Sequence, residues 1–72
     1  MKEKFIEDMA DILEVEANEL TVDTDFREKR FDFNSLKGYA MIVMMEEEFG
    51  KEVEVDDFIA AVTVGDLINL CK

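Results

Sequence analysis

NSLKGYAMIVMMEEEFG, Asn34 to Gly50, is the stretch whose reading decides the fold. Stepping about 100° per residue along an ideal helix sorts it into two opposed apolar directions. Gly38, Met41, Ile42, Met45 and Phe49 share one direction. Leu36, Tyr39, Ala40 and Val43 share the other, and Glu46 and Glu47 continue that side toward the C-terminus. The first stripe ends in a large aromatic and reads as core. The second carries two branched aliphatics, an alanine and a tyrosine rimmed by acids, and it begins beside Ser35. An apolar strip with a polar rim is a contact surface if it stays exposed. The competing reading is a central helix that buries both sides.

Around this helix the chain divides into four segments. Lys2 to Val15 carries Phe5, Ile6, Met9, Ile12 and Leu13 at helical spacing, which predicts a first amphipathic helix. Glu16 to Phe33 is a long connection with turn and cap formers in TVDTDF, and Leu20, Val22, Phe26 and Phe31 are its candidate anchors. The second helix runs from Ser35 to Phe49, with Gly50 placed to end it. A short helix is expected over Asp56 to Ala61. Thr63 caps a last helix carrying Val64, Leu67, Ile68 and Leu70, with Asp66 reinforcing its start. These elements make an all-α bundle of three main helices plus one short helix, a single domain over residues 1–72. Its expected core is Phe5, Met9, Leu13, Phe26, Met41, Ile42, Met45, Phe49, Phe58, Leu67 and Ile68. Met44 points between the two stripes of the second helix and is the methionine expected to touch a partner.

Composition narrows the function classes. The chain has 72 residues, no Pro and three Gly, which favours helices over a turn-punctuated β fold. Nineteen acids against eight bases leave a net charge of −11. That balance argues against nucleic-acid binding, which needs a basic footprint, and against an anionic membrane surface. An acidic decoy that mimics nucleic acid is supported by net charge alone. Partners with basic patches are expected, their encounter speeded by long-range attraction. There is no His, and Cys71 is the only cysteine, so no disulfide framework or thiol metal cluster is expected. Asp23 and Asp25 alternate like calcium-loop ligands, but the central glycine and terminal Glu of such a loop are missing. No signal-peptide pattern or membrane-length apolar run is present, and a cytoplasmic setting is expected.

In order and spacing the chain resembles the acyl carrier protein family, including peptidyl carriers and related phosphopantetheine-bearing domains. The residues that carry the resemblance are a first helix, the DTDF loop, the Ser35-Leu36 pair opening a helix that closes with EEEFG, then KEVEVDDF and VTVGDLINL. The resemblance implies a carrier and not an enzyme. A phosphopantetheinyl transferase would attach 4′-phosphopantetheine from coenzyme A to Ser35, and acyl-loading and acyl-processing enzymes would use the arm. Asn34, Leu36, Lys37, Tyr39, Val43, Met44, Glu46 and Glu47 would form the docking surface. A monomer is implied as well, with only loose divalent binding by the acidic helices.

Departures from the family pattern sharpen the expectation. Asn34 replaces the Asp that precedes the serine, and Phe31-Asp32-Phe33 stands where the family often has Leu-Gly. Lys37 replaces a common acid and Ala40 another, while Glu46 and Glu47 match. A less acidic, more apolar surface near Ser35 points to a dedicated partner set, in polyketide, peptide or another specialised biosynthesis more than housekeeping fatty-acid synthesis. The alternative is an unmodified carrier-like interaction module, in which Asn34 marks lost recognition.

Overall fold

A computed structural model describes all residues, Met1–Lys72. Four helices follow in order: α1, Lys2–Leu13; α2, Ser35–Phe49; α3, Val55–Ala60; and α4, Val64–Leu70. Two short 3₁₀ turns, Ala17–Glu19 and Lys29–Phe31, punctuate the long connection, and there is no β-sheet. The all-α bundle read from the sequence is the architecture observed.

α1 forms because Phe5, Met9 and Leu13, spaced four apart, bury one face against α2 and α4. It ends two residues earlier than Val15, since Glu14 enters the left-handed region at φ 62. The Val15 N–H then donates to the Ala10 carbonyl at 3.0 Å, closing the end without glycine. α2 has the expected bounds. Asn34 adopts extended backbone, and its Oδ1 accepts the Lys37 N–H at 2.9 Å. At the other end Gly50, at φ 65, donates to the Glu46 carbonyl at 3.0 Å, and the Lys51 N–H donates to that of Met45 at 3.2 Å. α3 begins and ends one residue earlier than expected. α4 opens on a reciprocal capping pair: Thr63 Oγ1 accepts the Asp66 N–H, and Asp66 Oδ2 accepts the Thr63 and Val62 N–H groups.

The core holds Phe5, Met9, Leu13, Phe26, Met41, Met45, Phe58, Leu67 and Ile68, all expected. Two expected members sit at its margin. Ile42 is half-buried, and Phe49 is half-buried against the Phe5 ring, with centroids 5.4 Å apart. Three sequence-designated anchors of the long connection, Leu20, Phe26 and Phe31, are buried, and Val22 packs half-buried beside them.

Hydrogen bonds hold that connection as firmly as its anchors. The Val64 N–H donates to the Thr24 carbonyl at 2.9 Å, and the Gly65 N–H donates to that of Val22 at 2.8 Å. An isolated antiparallel bridge joins Asp25 to Thr63 next to them. The start of α4 is thus stitched to the loop. From the same loop Arg27 donates to the Phe58 carbonyl at 3.0 Å and to the Ala61 carbonyl, fastening the C-terminal end of α3.

Candidate functional site

Ser35 is the first residue of α2, and it is exposed. It is also the only serine in the chain. The Ser35 and Leu36 N–H groups find no acceptor within the protein, because Asn34 satisfies Lys37 and the intrahelical ladder begins later, with the Gly38 N–H bonded to the Asn34 carbonyl at 3.0 Å. Two free donors and the positive end of a 15-residue helix therefore lie at the Ser35 hydroxyl, a setting that favours an anion. No side chain is hydrogen-bonded to that hydroxyl, so nothing in the chain is engaged with it as a base.

The backbone leading to Ser35 is fixed from two sides. Asp32 takes a left-handed conformation at φ 50, in the position where the resembling carriers often have glycine. The Lys37 ammonium turns back and donates to the Phe31 carbonyl at 3.0 Å and the Asp32 carbonyl at 3.1 Å. Lys37 is half-buried in this role, so its charge steadies the turn and is not held out toward a partner. Between these residues Phe33 lays its ring against Phe26 at 5.6 Å, edge-on, and against Phe58 at 6.4 Å. A Cβ added to Gly38 would stand 3.1 Å from the tip of the Phe33 ring, so the missing side chain is what lets that ring lie close to α2.

An open groove of about 350 Å³ starts at Ser35 and runs between α2 and α3. Phe33, Gly38, Ile42, Val55, Phe58 and Ile59 line it, with Tyr39 on one rim and Arg27 at its end. The Arg27 guanidinium sits 4.5 Å over the Phe26 ring and within 5.5 Å of both Phe33 and Phe58, so its charge is covered by aromatic faces. The groove can hold an apolar or mixed chain reaching away from the Ser35 hydroxyl.

The second stripe of α2 is only partly bare. Leu36 is 81% exposed and Tyr39 69% exposed, whereas Ala40 and Val43 are half-buried beside α1. Glu46 and Glu47 are exposed. Met44 differs from expectation: at 8% exposure it belongs to the core, because α1 closes over the side of α2 that the sequence left open. Asn34 is exposed and engaged as the helix cap.

Three contributors to the site were missed in the sequence. Val55 and Ile59 are 60% and 64% exposed and supply the α3 wall of the groove. Their signal was the four-residue spacing around Phe58, which turns them outward once Phe58 turns in. Arg27 carried no such signal, since its partners are backbone carbonyls more than thirty positions away. Of the two acids spaced like calcium-loop ligands, Asp25 serves local structure, its Oδ1 accepting the Arg27 N–H at 2.8 Å. Cys71 is half-buried at the end of α4, and burial pushes its thiol above the ordinary range. The chain's own sulfur is thereby kept protonated and weakly nucleophilic.

Among protein families, the one described as phosphopantetheine attachment site matches residues 3–71, leaving out only two residues at the start and one at the end.

Proposed function

Because the chain belongs to the phosphopantetheine attachment site family, whose members bear a covalently attached 4′-phosphopantetheine, we propose that Ser35 is the attachment point and that the arm carries acyl or aminoacyl groups as thioesters. The observation that carries this reading is the setting of the only serine, exposed at the start of α2 beside two uncommitted backbone N–H groups. A phosphodiester on the Ser35 oxygen meets those donors and the helix dipole. When bound, the group supplies a thiol at the end of a flexible tether. This chain's residues hold the anchor, cap the helix through Asn34 and offer the α2–α3 groove to the tether or its cargo.

A carrier of this kind is a substrate and shuttle for enzymes. With no base engaged with Ser35, activation of its hydroxyl falls to the phosphopantetheinyl transferase. Leu36, Tyr39, Glu46 and Glu47 form the docking surface for that transferase and for acyl-loading and acyl-processing enzymes with basic patches, and Val55 and Ile59 extend it onto α3. Asn34 in place of an acid, and a bare Leu36 and Tyr39, support a dedicated biosynthetic partner set in polyketide or peptide assembly over a general fatty-acid role.

The test is incubation with coenzyme A and a broad-specificity phosphopantetheinyl transferase, read by intact-protein mass. The expected result is a gain of one phosphopantetheine that Ser35→Ala abolishes. A gain that survives the substitution overturns the site. No gain, with the fold intact, favours an unmodified interaction module in which Asn34 has ended recognition by the transferase. Asn34→Asp then separates the two readings, since restored modification assigns the loss to that one side chain.

A further inference from the structure

The α2–α3 groove is apolar along its walls but not at its end. In a chain with nineteen acids none lines this groove, and Arg27 is the only charged side chain that does. No carboxylate forms an ion pair with the Arg27 guanidinium, although Lys4 and Arg30 each have one. Of its five N–H donors, two are committed to the Phe58 and Ala61 carbonyls, and the other three have no acceptor within the protein. The rings of Phe26, Phe33 and Phe58 flank it at 4.5, 5.3 and 5.4 Å, and with the two carbonyls they fix its position. A hydrocarbon chain that fills the groove to this end strips water from the free donors and supplies no acceptor, which is costly for a charged donor. A chain ending in oxygen replaces that water with a charge-assisted hydrogen bond. A chain ending in an ammonium meets a like charge.

We propose that Arg27 sets the class of cargo this groove accepts: acyl chains whose far end bears an oxygen acceptor, a carboxylate foremost and a ketone second. Hydrocarbon ends are disfavoured, and chains ending in a free amine stay outside the groove on their tether. The inference rests on the reading of Ser35 as the point of attachment and names the chemistry of what is attached. Net charge alone argues for the opposite order, because −11 attracts an ammonium and repels a carboxylate. Two facts decide for Arg27. The acids lie off the groove, and at physiological salt their field is screened over about 8 Å, whereas a direct contact with the guanidinium is not. The walls of Ile42, Val55 and Ile59 then hold the hydrocarbon part of the chain, and the residue at the end reads its last group.

The experiment uses the Ser35→Ala chain and free probes, so it reads the groove whether or not a transferase recognises the protein. A failed attachment shows in the mass measurement, and a failed groove shows here. The probes are pantetheine conjugates of one chain length, joined through an amide in place of the thioester and ending in methyl, methyl ketone, carboxylate or ammonium. Each is titrated into ¹⁵N-labelled protein at physiological salt. Expected are amide shift changes centred on Ile42, Val55 and Ile59, with the Arg27 Nε–H signal moving for the carboxylate and ketone probes alone. Affinity is expected to fall in the order carboxylate, ketone, methyl, ammonium, with about three- to tenfold between carboxylate and methyl. Arg27→Gln in the same chain is expected to erase the carboxylate preference while the methyl-ended probe still binds. Should α3 unfold in that variant, the order of the four probes on the parent decides. Methyl binding as tightly as carboxylate, ammonium binding along the groove as tightly as methyl, an Arg27 signal that moves alike with all four, or no shifts along the groove would each overturn the proposal.

Discussion

Replacing Arg27 with alanine removes the clamp that holds α3, and the structure sets the size of the loss. The guanidinium donates to the Phe58 and Ala61 carbonyls at the C-terminal end of a six-residue helix. Hydrogen bonds from a charged donor are worth about 1.5–3 kcal/mol each, and Arg27 is half-buried, so the lower end applies and water recovers part of it. Its packing over the Phe26 ring adds about 0.5–1 kcal/mol. The expected cost is about 2–3 kcal/mol, against about 4–11 kcal/mol for a whole domain of this size. At about 4–8 °C per kcal/mol, Tm falls by about 10–20 °C. The loss is also local. α3 is too short to persist alone, so its amides exchange faster in Arg27→Ala by a larger factor than those of α1 or the middle of α2. Arg27→Lys keeps the charge but cannot fork between two carbonyls or stack flat on a ring, and recovers less than half of the stability. Thermal melts followed by circular dichroism, with amide exchange by NMR, provide the check. A Tm drop below about 3 °C, or exchange that rises equally in all four helices, refutes the clamp.

Other perturbations test separate features. Gly65→Ala sets its Cβ 2.9 Å from the Val22 carbonyl oxygen, a backbone atom fixed by its own hydrogen bond, so overpacking of about 1–3 kcal/mol outweighs a helix-propensity gain of about 1 kcal/mol. In Gly38→Ala the near atoms belong to the Phe33 and Phe58 rings, and the half-buried Phe33 can swing, so urea denaturation shows it within about 1 kcal/mol of the parent. Asp66 accepts the Thr63 and Val62 N–H groups, which hold its carboxyl below the ordinary 3.8. Its contribution is full above that pH and disappears as pH falls through the lower native value, so the stability gap between parent and Asp66→Asn narrows from pH 6 toward pH 3. Left-handed Glu14 carries a strain of about 1–2 kcal/mol that glycine relieves at an entropic cost of about 0.5–1 kcal/mol, so Glu14→Gly raises the denaturation midpoint.

The helices were legible because their signals are local and agree with one another. Phe5, Met9 and Leu13 repeat at helical spacing, Asn34 and Gly50 mark the ends of α2, and Thr63 and Asp66 form a capping pair within four residues. The exposure of Leu36 and Tyr39 was legible from helix phase, whereas Ser35 was singled out by the resemblance to carrier proteins. What stayed hidden depends on contacts between distant segments. The Lys37 ammonium is spent on loop carbonyls because Asp32 turns left-handed ahead of it. Met44 is buried because α1 crosses over that side of α2, which no periodicity within α2 can report.

The same crossing explains why α2 carries two apolar directions and is still not simply a central helix. α1 covers the Met44 side incompletely, leaving Ala40 and Val43 half-buried in one groove, and α3 stands off the Ile42 side, leaving another. Tyr39 stays 69% exposed between them. Filling either groove with this chain's own side chains would require larger residues at positions where it has Gly38 or Ala40, and the Phe33 ring already packs into the room that Gly38 leaves. Smallness at these two positions therefore keeps open space on both flanks of the helix that begins at Ser35. One flank suits what is tethered to the chain, and the other suits what docks on it.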